Sequence, residues 1–414
     1  MSACAGAYNL MLSPLPPLKF KRKEKMTQIF LDVGEPTSKP TGPVLFSAGH
    51  RPFFLLTALS AIVLISLWLV AYLGRIALSS SWHAHEMLYG FSVAAISGFL
   101  LAAVPHWTNA QSPKGWSLMG LCSFWLLGRI GFFMAEVYPA YMVLAYLDLI
   151  FLPMMVAVVA RMIMGAKNSR NYVVVGIVSA LIITNIVYHF YDSYAGVRAG
   201  IFVVTILAAL IGGRVIPAFT QNALQLYSGQ PVVCTTPVWT HKVTLISMFL
   251  LVIAQAVDMD PRITGVLAAL VAVILFIRML NWHSLNSFFD PIVWVLHAAY
   301  IWLPIGYGLK AVADLTGVID GNSALHALTV GGMGMLILAI ASRAALGHSG
   351  RDLKVSAGTV LAYILVLGAT VIRVLALSSE WVVVSGLLWV LGYGLFALVY
   401  VPILLKPRVD GLPG

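Results

Sequence analysis

Trp82-His83-Ala84-His85-Glu86-Met87 opens an apolar run that continues to about Val104, long enough to cross a lipid bilayer. Ionisable side chains are costly at that depth and are kept where they do chemistry or hold a partner. Two histidines and a glutamate in one turn make this stretch decisive for both fold and function. The rest of the chain has the composition to match, with 60% hydrophobic residues, 10% charged residues and a mean hydropathy of +0.92. Such numbers describe a polytopic helical membrane protein and exclude a soluble domain carrying one anchor.

Working outward, apolar windows of about 20 residues fall near 52–74, 82–104, 116–136, 139–165, 171–191 and 196–219, then near 240–258, 263–281, 291–313, 324–346, 355–377 and 381–405. The expected fold is all-α, an integral membrane protein of about twelve transmembrane helices. Three regions are expected: a disordered basic cytoplasmic tail at 1–45, a single twelve-helix domain at 46–405 and a short cytoplasmic tail at 406–414. Met26 offers a second start within the tail. Basic residues (Lys114, Arg161, Lys167, Arg170, Lys242, Arg351, Lys354) gather in the loops of one side, and acidic ones (Glu136, Asp192, Asp258, Asp260, Asp320) in those of the other. That asymmetry places both termini in the cytoplasm. It also accounts for the formal charge of +10, so no nucleic-acid partner is expected.

Internal repetition has a period of about four segments. Segment 2 ends in Ala103-Val104-Pro105-His106-Trp107-Thr108 and segment 6 in Val215-Ile216-Pro217-Ala218-Phe219-Thr220, with a weaker echo at Gly347-His348 in segment 10. Three pseudo-symmetric four-helix units would set segments 2, 6 and 10 around one centre.

Cys4, Cys122 and Cys234 are far apart, which excludes a disulfide framework and a cysteine-based zinc or iron–sulfur site. Any metal must use histidine, methionine or oxygen. Topology sorts the histidines into two levels. His83, His85, His189 and His326 belong to the outer half, whereas His50, His106, His241 and His348 lie at inner helix ends. The outer group suggests a buried metal or haem centre.

Residues two apart on a helix differ by about 200°, so His83 and His85 cannot both face one point unless the helix unwinds. The stripe that continues from His85 through Leu88 or Tyr89, Ser92 and Ala95 favours His85 as a ligand, opposite His326 and its Gly331-Gly332-Met333-Gly334 run, where porphyrin could approach backbone. Two histidines on facing helices would give a bis-His haem site. With no haem attachment motif, the haem would be a non-covalent haem b. Hydrogen-bonded packing histidines are the competing reading. Copper has two candidate sets: His50, His106, His241 and His348, or His83 with Met87 and His189. Arg373 is placed for haem propionates, and Glu86, Arg129 and Arg214 are candidate catalytic residues, with Asp148 an ion-pair partner for Arg129.

Several stretches now carry a family resemblance. Phe46-Ser47-Ala48-Gly49-His50-Arg51-Pro52, Trp82 to Phe91, Gly98 to Pro105, Gly212 to Thr220 and His326 to Arg343 resemble the NnrS family over nearly the whole chain beyond the tail. The resemblance implies a twelve-helix bacterial inner-membrane protein containing haem and copper and acting in nitric oxide metabolism and nitrosative-stress resistance. It leaves open whether nitric oxide is turned over. A looser similarity links segments 2 and 10 to the low-spin haem helices of haem–copper oxidases. However, Ala324 stands where those enzymes place the high-spin haem ligand, and segments 6 and 7 lack their copper histidines, so the oxidase binuclear site does not transfer. Expected partners are nitric oxide, the lipid bilayer and an electron donor outside the chain. Two other functions fit the same residues: a secondary transporter, or a haem-based sensor or assembly factor without turnover.

Overall fold

The computed structural model describes residues 42–376 and 378–412. Most of the expected tail, 1–41, lies outside them; its end forms a short 3-10 turn at Val44–Phe46. Among the described residues, twelve helices are long and apolar enough to cross a membrane: α1 His50–Tyr72, α2 Ser80–Thr108, α3 Gly115–Val137, α4 Pro139–Gly165, α5 Ser169–Phe190, α6 Ser193–Ser228, α7 Val238–Ala256, α8 Pro261–Met279, α9 Pro291–Thr316, α10 Gly321–His348, α11 Ala357–Val374 and α12 Ser379–Leu405. The protein is all-helical, with no strand among the described residues. Twelve spans put the start of α1 and the end of α12 on one face, called here the terminal face.

Helix starts follow from capping chemistry. Ser79 accepts a hydrogen bond from the Trp82 amide at 3.0 Å ahead of α2, and the Asp192 and Asp260 carboxylates cap α6 and α8 in the same way. Gly317 closes α9 in the left-handed conformation that favours glycine. After α12 the chain folds back, with Arg408 Nη1 donating to the His348 carbonyl at 2.9 Å and the Val409 amide donating to Ser349 at 3.1 Å. The Arg408 guanidinium holds the Asp410 carboxyl below the usual carboxylate range. The segment after 405 is thus tied to the end of α10.

The interior belongs to three helices. α2, α6 and α10 touch one another pairwise. Their most apolar windows are 78%, 83% and 67% buried, against 28–61% for the other nine. A helix surrounded on all sides has no solvent or lipid stripe, so its polar groups must find partners within the protein.

Two of these central helices change pitch at corresponding places. In α2, α-helix Ser80–His85 gives way to π-helix over Glu86–Ser92; in α10, α-helix Gly321–His326 gives way to π-helix over Ala327–Gly334. Both wide turns begin directly after a histidine, and π turns occur mainly at functional sites.

The glycine run of α10 does not form the expected porphyrin slot. A Cβ at Gly331 would meet Trp302 at 2.5 Å, one at Gly332 would meet Leu303 at 2.6 Å and one at Gly334 would meet Trp389 at 2.5 Å. Small residues let neighbours approach a membrane helix closely, and here large side chains take up that space. Trp389 is further held by its indole N–H, which donates to the Ala61 carbonyl at 3.1 Å. Gly334→Ala is therefore expected to destabilise the protein by about 1–3 kcal/mol, seen as a lower unfolding temperature. An unchanged temperature would show that Trp389 gives way freely.

Candidate functional site

The first turn of α2 presents histidines on two sides, as a 200° separation requires. His83 faces α1, where Trp68 stacks on its ring with centroids 4.6 Å apart and planes 14° from parallel. It lies within electrostatic reach of His326 on α10 and Arg373 on α11. His83 Nδ1 is buried and has no hydrogen-bond partner among the described residues. His326 is differently arranged: its Nδ1–H donates to the Asn322 carbonyl at 2.7 Å, which leaves the Nε2 lone pair free. Fixing one ring nitrogen so that the other can ligate is the usual arrangement of a metal-binding histidine. Arg373 makes no ion pair among the described residues, and its electrostatic neighbours include Asp320 and Tyr72. These donors fit a haem or metal-type group, with a cation available for its acidic substituents.

His85 points to the opposite side, toward α3, α4 and α5. Its ring is fully buried against Phe132, with centroids 4.0 Å apart, and near Tyr188 at 4.4 Å. Nε2 lies 3.1 Å from Asp148 Oδ2 and 3.3 Å from Asn185 Oδ1, and Nδ1 lies 3.4 Å from Glu86 Oε1. His189 Nε2 is 3.4 Å from the same Asp148 oxygen, to which Asn185 Nδ2 donates at 2.7 Å. Arg129 ties the cluster together: Nη1 donates to Glu86 Oε1 at 2.7 Å and Nη2 pairs with Asp148. Among the described residues, His85, Asp148 and His189 are the one set of three ligating groups whose donor atoms all lie within 4.8 Å of one another.

The expected pairing of His85 with His326 is corrected accordingly: His83 and His326 lie on one side of α2, and His85 with His189 on the other. α2 is central and largely buried, so the stripe that continues from His85 does not single out one inward face. The helix has two inward faces, and the one bearing His85 is filled by Tyr89, Phe132 and Tyr188 rather than left open. The proposed set of His83, Met87 and His189 is divided for the same reason.

On the terminal face, His50, His106 and His348 come together. The rings of His50 and His348 have centroids 4.9 Å apart, and those of His106 and His348 5.5 Å. Their planes are closer to parallel than to edge-on, at 33° and 27°, so they stack more than they converge on a point. His241 stands apart from them, near Arg278, Arg214 and Arg170. His297 is a packing histidine, with both ring nitrogens satisfied by Thr220 at 2.8 Å and Ser284 at 2.9 Å.

Of the candidate catalytic residues, Glu86 and Arg129 share an ion pair beside His85, whereas Arg214 lies toward the terminal face and donates to Asn171 Oδ1 at 2.8 Å. Sequence reasoning missed Trp68, Asn185 and the role of Asp148 as a histidine partner. Asn185 and His189 stand four apart on α5, a spacing that puts both on one helix face, and this was the available signal.

The structure is thus that of a multi-pass helical membrane protein whose central helices carry clustered imidazoles, with one possible metal site at His85, Asp148 and His189. The model of the NnrS family, described as NnrS protein, matches residues 44–408, and the chain belongs to that family. Membership supports a role in the nitric oxide response. No curated protein matches the chain.

Proposed function

We propose that this protein holds a haem b on the His83 side of α2, near the first turn of α10 and Arg373 of α11, and a copper ion on the other side of α2, and that it binds nitric oxide within the bilayer of the bacterial inner membrane. The observation that carries the reading is the unpartnered Nδ1 of His83 within reach of His326 and Arg373. Imidazoles of His83 and His326 would hold the haem, with Arg373 available to its propionates and Trp68 keeping the His83 ring in place. When bound, the haem would supply an iron able to take nitric oxide as a ligand and one-electron chemistry with a donor outside the chain.

Charge balance supports a cation in the second cluster. With neutral imidazoles, two carboxylates (Glu86, Asp148) face one guanidinium (Arg129), leaving one buried negative charge to be compensated. A copper ion held by His85, Asp148 and His189 would compensate it, since imidazole and carboxylate oxygen both suit that metal. Glu86 and Arg129 would then orient His85 and Asp148 rather than touch the ligand.

Nitric oxide is small and uncharged, so it can reach both sites through lipid, and the fold needs no hydrophilic path to them. The distribution of basic loops favours cytoplasmic termini. The test is metal and haem analysis of purified wild type, His85→Ala and His189→Ala. Both variants are expected to lose copper by at least tenfold while keeping their haem. Copper retained in both would overturn the assignment of this cluster.

A further inference from the structure

We infer that Arg278, Arg214, Arg170 and His241 form a binding site for a phosphate-bearing anion on the terminal face, between α5, α6, α7 and α8. Three other buried cations of this protein have closer acceptors than Arg278 does. Arg129 has Glu86 at 2.7 Å, Lys310 has Asp314 at 2.7 Å, and Arg51 donates to the Leu404 and Lys406 carbonyls at 2.8 and 2.7 Å. Arg278 is only 2% exposed, yet among the described residues it has no carboxylate partner. Its Nη1 donates to Thr244 Oγ1 at 3.1 Å, its Nη2 reaches the Ala209 carbonyl at 3.5 Å, and its Nε is buried without a partner.

The groups around it add to the positive charge instead of offsetting it. Arg214 has Arg170 and Arg278 as its electrostatic neighbours, and His241 has Arg278, Arg214 and Arg170. An uncompensated buried charge is among the costliest arrangements a protein can hold, so its retention points to a partner of opposite sign. α6 is shaped for this guanidinium: a Cβ on Gly213 would run into Arg278, so glycine there makes room for it.

Exposure falls from Arg170 at the surface, through half-buried Arg214 and His241, to Arg278 at the floor. Exposure of these four groups thus rises toward the terminal face. The planar guanidinium forks match the oxygen geometry of a phosphate group. A basic pocket between helices at a membrane face is where anionic lipid headgroups bind, and free phosphate offers the same chemistry. The haem and copper groups play no part in this site.

The test is thermal unfolding of the full-length detergent-solubilised protein, titrated with phosphatidylglycerol, phosphatidylcholine or inorganic phosphate. Wild type is expected to gain stability with phosphatidylglycerol or with phosphate. Protection by the lipid alone identifies a headgroup as the ligand, and protection by inorganic phosphate as well identifies a free anion; both support the site. Arg170→Gln, an exposed change with no packing role, is expected to weaken the response at least tenfold, about 1.4 kcal/mol. Arg278→Met is expected to abolish it and to raise the unfolding temperature without ligand, because it removes the unpaired charge. The inference is overturned if neither anion protects wild type, if phosphatidylcholine protects as well as phosphatidylglycerol, or if Arg170→Gln responds as wild type does. The last criterion holds even where Arg278→Met fails to fold.

Discussion

His83→Ala and His326→Ala are each expected to lower the haem content of the purified protein at least tenfold, while His85→Ala keeps its haem. The contrast between neighbours two residues apart is the force of the prediction. His83 offers a buried nitrogen with no partner, on the side of α2 that reaches His326 and Arg373. His85 already has Asp148, Asn185 and Glu86 around its ring nitrogens and aromatic rings against its faces. A haem ligated by His85 would have to break that network and displace Phe132 and Tyr188. Pyridine haemochrome analysis of the three variants, with size-exclusion profiles confirming the fold, decides the matter. Haem lost from His85→Ala and retained in His83→Ala would reverse the assignment.

Arg129→Met is expected to destabilise the protein by about 3–5 kcal/mol, the usual cost of removing one partner from a buried ion cluster. Arg129 is only 8% exposed and is the one guanidinium between Glu86 and Asp148. Its loss leaves two carboxylates beside His85 without a fixed counter-charge. The double variant Glu86→Gln/Arg129→Met is expected to recover much of the loss, because it returns the cluster to a single negative charge. Thermal unfolding of both variants in the same detergent measures the effect. Equal stability of Arg129→Met and wild type would mean that the cluster's charge is balanced by something other than this guanidinium.

The twelve spans were legible in the sequence because a bilayer demands about 20 apolar residues per crossing and leaves few alternatives. Their ends were less so. The sixth window stops near 219, but α6 continues to Ser228, since a polar turn such as Gln221-Asn222 ends a hydropathy signal without ending a helix. The centre was readable from the matching Pro105 and Pro217 segments, and α2, α6 and α10 do meet in the middle of the bundle. The glycine run of α10 misled, because glycine marks a close approach without saying whether a cofactor or a tryptophan makes it.

The candidate site was legible as a level within the membrane but not as a set of pairings. Depth follows from position along a helix, so His83, His85, His189 and His326 could be placed together. Direction depends on what packs around α2 and on the π turn that starts at Glu86. Neither leaves a mark in the periodicity of a helix apolar on all sides. Likewise, His50, His106 and His348 could be grouped by their helix ends, whereas His241, also at a helix end, lies with Arg278, Arg214 and Arg170 instead.

The central claim, a haem in this bundle that meets nitric oxide, is tested most directly by the absorption spectrum of purified wild-type protein, dithionite-reduced, before and after addition of nitric oxide. The account predicts a sharp b-type α-band at stoichiometric haem content that changes when the gas is added. A folded, colourless protein would contradict it and return secondary transport to consideration, and a haem spectrum indifferent to nitric oxide would contradict the ligand.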